Sequence, residues 1–350
     1  MTQRFALTWL ARGAIAIAAA AALPAQAGVV FGFTGSGLEG NIFRWDAAPR
    51  VIDGNERSLD GGLRYAVSGG SLDAFRDQFS WNGGTPTSAA FATTVQNAFN
   101  AWTRVDPVSG FGTALSFVYD STTAVVGAAG GGVNTAGAEI DLIATTDARF
   151  WNPGNTGTQG ETWFNGSSFK ATLTSGVANY TFSSAIAGAD IAINSNPGAV
   201  YTLDLFGRLL THEIGHALGF GDVENEIQPG RFIDDNFDPT SAATRAATLS
   251  NSWAALVNPF DPSGSIGLAR YTIGDGTTSE AGVNLLMESW GLGISAANPI
   301  NNPDPLTNDE FGIRQFLYPM LSPVPEPGTA LMALAGLGVL WRARRRVRAA

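Results

Sequence analysis

Apolar residues along this chain fall into short periodic runs, separated by stretches rich in Gly, Ser, Thr and Asn. After Thr85-Pro86, read as a cap and first helical residue, Phe91, Val95, Phe99, Trp102 and Val105 recur at helical spacing and predict a core-facing helix. Leu115, Phe117 and Tyr119 alternate with period two, as do Ala138, Ile140 and Leu142, so each set predicts a half-buried strand. A third strand is expected over residues 189–194. Residues 151–187, rich in Gly, Asn, Ser and Thr, read as an elaborated loop with room for a hairpin. A second helix is expected from about Thr202 to Leu218, burying Leu203, Phe206, Leu210, Ala217 and Leu218. The last helix is signalled by the capping-box spacing Thr307-x-x-Glu310, with Ile313, Phe316 and Leu317 apolar and Pro319 as its stop.

With 350 residues, 45% of them hydrophobic, the chain can bury a substantial core. No internal repeat and no linker interrupts it before Pro323, so residues 28–323 are expected to form one domain. Residues 1–27 carry Arg4 and Arg12, an alanine-rich apolar run and Ala25-Gln26-Ala27, the pattern of a cleaved export signal. Cysteine is absent, which excludes disulfides and thiolate zinc sites. Basic residues number 20 against 30 acidic ones, a net charge of −10, and seven arginines sit in the two terminal segments. The body between them is more acidic still, and no nucleic-acid partner is expected.

At the other end, Val324-Pro325-Glu326-Pro327 precedes an apolar segment, residues 328–341, and then Arg342, Arg344, Arg345, Arg346 and Arg348. This order resembles the PEP-CTERM sorting signal of Gram-negative bacteria, so residues 324–350 are expected to be processed by an exosortase-type enzyme. The resemblance implies delivery to the cell surface or extracellular matrix. The apolar run is shorter than the ~20 residues of a permanent span, which favours transient membrane association over a lasting transmembrane anchor.

Both histidines of the chain lie in residues 211–222, THEIGHALGFGD. On a helix, residues four apart differ by only ~40° in direction and ~6 Å along the axis, so His212 and His216 project side by side and can meet one metal ion. Zinc accepts such nitrogens and, if catalytic, needs a further protein ligand and an open position. Glu213 sits beside that pair, placed to take a proton from a water polarised by the ion and to pass it to a leaving amine. Gly219 is suited to end the helix in the left-handed conformation and turn the chain so that Asp222 can swing back. With no third histidine, any third protein ligand is a carboxylate or a neutral oxygen; Glu224 and Glu226 are alternatives to Asp222.

HEIGHALGFGD resembles the extended zinc motif HExxHxxGxxH of the metzincin metallopeptidases, with aspartate last, as in snapalysin-type enzymes. The resemblance assigns zinc ligation to His212, His216 and Asp222 and general-base catalysis to Glu213. Residues 285–289, LLMES, resemble the Met-turn beneath the zinc site, residues 306–319 the C-terminal helix of the matrixin branch, and residues 188–194 the edge strand lining the substrate cleft. The chain departs from matrixins in Asp222, in lacking a cysteine for a cysteine-switch propeptide, and in Trp290 after the Met-turn. The implied fold is α+β and metzincin-like: a twisted, mostly parallel sheet, an active-site helix and a C-terminal helix. The implied function is an exported zinc endopeptidase acting on protein or peptide substrates. The competing readings are a noncatalytic, zinc-stabilised matrix or surface-binding protein, and a gluzincin-type peptidase whose third ligand is a more distant glutamate. Asp234, Asp235 and Asp238 read as a calcium loop or as a solvated acidic one.

Overall fold

A computed structural model describes residues 43–47, 49–105, 112–125, 135–147, 157, 159–166, 172–174, 179–181 and 184–221, with short pieces at 232–233, 270–271, 286–287, 306, 310–311, 314 and 317–318. In chain order its elements are β1 (Phe43–Arg44), β2 (Val51–Ile52), β3 (Asn55–Glu56), β4 (Leu63–Val67), α1 (Leu72–Arg76), β5 (Ser80–Trp81), α2 (Ser88–Thr103), β6 (Phe117–Tyr119) and β7 (Ile140–Thr145). They continue with β8 (Gly160–Gly166), β9 (Thr172–Thr174), β10 (Asn179–Thr181), β11 (Ser184–Asn194), β12 (Val200–Tyr201), α3 (Leu203–Ala217), β13 (Phe232–Ile233) and β14 (Arg270–Tyr271). The terminal segments expected at 1–27 and 324–350, Asp222, Glu224, Glu226 and the 234–238 acidic cluster lie outside the described residues.

The architecture is mixed α and β around a mostly parallel sheet. Strand β11 pairs in parallel with β7, β7 with β4, and β4 with β6, while β8 runs antiparallel along the other side of β11. Strand β1 takes the first two residues of β11 on that same side, also in parallel. Alternation along the strands sends Tyr65, Ile140, Ala189 and Phe164 to one face, where α2 and α3 pack; Tyr65 stacks on Phe99 of α2 with ring centroids 3.9 Å apart.

Two expectations about the sheet are corrected. Residues 188–194 are not an edge strand: they are the C-terminal part of β11, paired with β7 on one side and β8 on the other. Their composition accounts for it, since Ala189, Ile191, Ala192 and Ile193 are all buried, and apolar residues on both faces mark an interior strand. Residues 151–187, read as an elaborated loop with room for a hairpin, do hold the β9–β10 hairpin, but they also hold β8, a strand of the main sheet that was not expected there. The polar sequence GETWFNG masks β8, which pairs over most of its length with β11.

Helix α2 is capped by Thr87, whose hydroxyl accepts from Ala90 N–H at 3.2 Å, rather than by Thr85. It stops at Thr103, because Arg104 turns extended, and Val105, expected on the core face, is 47% exposed. Helix α3 follows its sequence closely: Thr202 caps it through Leu205 N–H, and Leu218 closes it. Phe206 of α3 lies within 5.1–6.3 Å of Phe75, Phe79, Trp81, Phe91 and Tyr201, mostly edge to face. This aromatic hub fixes the first half of α3 against α1, α2 and β5. Truncating Phe206 to Ala should lower unfolding free energy by about 3–5 kcal/mol in a urea titration, as for other large aromatic truncations; a loss below ~1 kcal/mol would show the hub to be dispensable.

On the opposite sheet face, Asp190 stands directly across the ladder from Asp141, both 1% exposed. Neither carboxylate oxygen of Asp190 has a hydrogen-bond partner among the described residues. Burial, and then the charge of Asp141, push the Asp190 carboxyl up to about 7; the Arg57 guanidinium lies on the Asp141 side of the pair. The fold therefore binds a proton at Asp190 more tightly than the unfolded chain does. The stability this contributes is complete below the ordinary carboxylate range and is lost as pH rises toward about 7. Asp190→Asn, which cannot ionise, should be more stable than wild type at pH 8 and lose most of that advantage at pH 4. About 1.4 kcal/mol accompanies each pKa unit. Urea titrations at both pH values measure it, and a pH-independent difference would contradict the assignment.

Candidate metal centre

Helix α3 carries its polar residues inward at its C-terminal end: His212 and Glu213 are 3% exposed and His216 7%. Local sequence sets that end of the helix. Gly219 has φ +97°, Gly219 N–H donates to His216 O at 2.9 Å, and Phe220 N–H donates to Gly215 O at 3.0 Å, the paired bonds of a Schellman stop. A side chain at Gly219 would also strike the Phe43 carbonyl of β1, so glycine is required there for conformation and space. The last carbonyls of the helix receive donors from afar: Trp45 Nε1 to Ala217 O at 3.0 Å and Tyr318 Oη to Leu218 O at 2.6 Å.

The two imidazole rings lie edge to face with centroids 4.5 Å apart. His212 Nδ1 is 2.6 Å from Leu286 O and His216 Nδ1 is 2.9 Å from Phe220 O. A carbonyl oxygen can only accept, so each Nδ1 carries the proton, and in the neutral ring the lone pair is on Nε2. Both rings are thereby turned and set in one tautomer, the arrangement in which imidazole ligates a metal through Nε2. The expected turn at Leu286–Met287 is present, and its Leu286 carbonyl is the group that orients His212.

Met287 is fully buried beneath the helix. A Cβ on Gly215 would fall 2.6 Å from Met287 Sδ and 2.9 Å from Trp102 Cζ2, so this glycine, one residue before His216, makes room for both. Trp102 Nε1 donates to Thr211 O at 2.9 Å and ties the same stretch to α2. Residues 310, 311, 314 and 317 are helical, as expected, but the buried set includes two charged side chains, Glu310 and Arg314. Glu310 Oε1 accepts from Met287 N–H at 3.1 Å, and Arg314 Nη1 donates to Arg104 O at 2.6 Å. The sequence offered Glu310 only as a capping residue; its support of the Met287 turn depends on a contact across 23 residues.

Glu213 faces β8. Its Oε2 accepts from Thr162 Oγ1 at 2.7 Å, and Gly160 lies against the same carboxylate. Glu161, half-buried on β8, has its carboxyl pushed up by burial and by the Glu213 charge. Among the described residues no group of three or more His, Asp or Glu side chains forms a metal-holding cluster. The donor set that is described, two Nε2 lone pairs on adjacent helical turns, fits a borderline divalent ion such as zinc. Asp222 follows the last described residue of this stretch, Gly221.

Residues 323–346 match the PEP-CTERM protein-sorting motif. The chain is thus an exported, cell-surface-associated protein of the Gram-negative type, with a C-terminal segment recognised by an exosortase-type enzyme. No curated protein and no solved structure matches the chain. Among the described residues no helix is long and apolar enough to cross a membrane.

Replacing Gly215 by Ala tests the packing under the two histidines. Alanine is worth about 1 kcal/mol more than glycine inside a helix, whereas overpacking a core costs about 1–3 kcal/mol. Gly215→Ala should therefore be net destabilised in urea; a gain of about 1 kcal/mol would show that Met287 and Trp102 yield freely.

Proposed function

We propose that this protein is an exported, zinc-dependent endopeptidase of metzincin type, with His212 and His216 holding the metal, Asp222 completing the ligand set and Glu213 acting as general base. The observation that carries the proposal is the pairing of each histidine Nδ1 with a backbone carbonyl, beside a buried carboxylate on the same helix. Two imidazoles packed for structural reasons alone need no common tautomer. Support also comes from the turn at Met287 beneath Gly215 and from a mostly parallel sheet with an antiparallel strand, β8, beside the glutamate.

A zinc ion held at this site would supply Lewis acidity to the scissile carbonyl and to the attacking water. The chain's own residues do the remainder. Backbone carbonyls of Leu286 and Phe220 hold the rings, and the buried packing of Trp102 and Met287 keeps the helix face from shifting. Glu213 receives the proton of the attacking water and returns it to the departing amine, so water adds across the peptide bond with no net proton change at the enzyme. The substrate chain runs beside β8, the strand that touches Glu213, rather than beside residues 188–194.

The test compares the purified, exported protein with Glu213→Ala for zinc content and casein cleavage. The variant is expected to keep its metal and to lose about 10²–10⁴-fold in kcat, the usual span for a general base. Equal cleavage by both proteins would remove Glu213 from the chemistry, and a metal-free wild type that cleaves nothing would overturn the peptidase reading.

A further inference from the structure

We infer that Thr162 and Gly160 of β8 form a seat that aims the Glu213 carboxylate, making Thr162 a positioning residue for the proposed general base. The inference rests on the peptidase reading for its catalytic meaning, but its geometry stands separately. Thr162 Oγ1 lies 2.7 Å from Glu213 Oε2 and 3.1 Å from Glu213 O. Oxygen acceptors alone surround that hydroxyl in this contact, so its single proton is shared between them and drawn mainly to the nearer carboxylate oxygen.

Gly160 supplies the other wall. A Cβ at that position would fall 2.6 Å from both Cγ and Cδ of Glu213 and would strike Oε1 as well, so the carboxylate fits only because residue 160 has no side chain. Residues two apart on a strand point to the same face, which is why positions 160 and 162 can serve one side chain. Strand β8 is in turn fixed along β11, from Ile193 opposite Gly160 to Ala189 opposite Phe164. The seat is thus built on the sheet rather than on a mobile loop, and a flexible glutamate on α3 is held in one rotamer by an element remote in sequence.

A merely structural threonine would affect folding, whereas a positioning residue affects turnover. Thr162→Val keeps the shape and removes the donor; Thr162→Ser keeps the donor and removes the methyl. Thr162→Val should lower kcat about 10-fold or more, with KM within about twofold and zinc content and Tm unchanged, a tenfold change corresponding to about 1.4 kcal/mol in the barrier. Thr162→Ser should restore kcat to within about threefold of wild type, and Gly160→Ala should lower it as Thr162→Val does. A crystal structure of Thr162→Val should show the Glu213 carboxylate displaced from β8. Wild-type kcat in Thr162→Val, or an undisplaced carboxylate, overturns the inference. If the wild type itself cleaves no peptide, the peptidase reading fails, and the carboxylate position in the two crystal structures still decides whether β8 aims Glu213.

Discussion

Two imidazole rings are buried on one helix with their Nδ1 protons committed to backbone carbonyls, and much of the surrounding structure serves to keep them so. Each carbonyl comes from a different device. The Phe220 carbonyl is delivered by the Schellman stop at Gly219, a local consequence of sequence. The Leu286 carbonyl is delivered by a turn 74 residues away, whose next residue, Met287, wedges beneath Gly215 and is held at its N–H by Glu310. A helix can place two side chains on one face by spacing alone, but only tertiary contacts choose their rotation and tautomer.

The helix itself is held at both ends. Phe206 anchors its first half among five aromatic rings, and Trp45 and Tyr318 satisfy its last carbonyls. With no cysteine in the chain, this clamping by aromatic packing and by donors from distant segments takes the role that disulfides fill in many exported proteins. Strand β8 completes the enclosure by meeting Glu213 from the sheet side. Burial of this kind is costly for polar groups unless they are paired, and each of the three side chains has a hydrogen bond in place.

What could be read from the chain was local. The extent of α3, its buried residues Phe206, Leu210, Ala217 and Leu218 and the glycine stop at 219 depend on residues within a few positions of one another, and the structure places them where the pattern indicated. The cap of α2 was misplaced by two residues, because a Thr-Pro pair and a following threonine compete for that role. Strand β8 was invisible because its inward residues include Gly160 and Thr162, chosen to receive a carboxylate rather than to fill a core. Residues 188–194 looked like a strand and were one, but whether a strand is central or at an edge depends on what pairs with it, here β7 on one side and β8 on the other, and those partners are remote in sequence. The inward turn of Glu310 and Arg314 was hidden for the same reason, since charged residues on a short helix ordinarily face water.

The central claim is that the His212 and His216 rings are set in advance to receive one divalent ion through Nε2. Isothermal titration of zinc into the chelator-stripped exported protein measures it most directly. The account predicts uptake of about one equivalent in the wild type and loss of that uptake in both His212→Ala and His216→Ala, as expected for a site that needs both rings. Absence of zinc uptake by folded wild-type protein, or uptake unchanged in both variants, would contradict it.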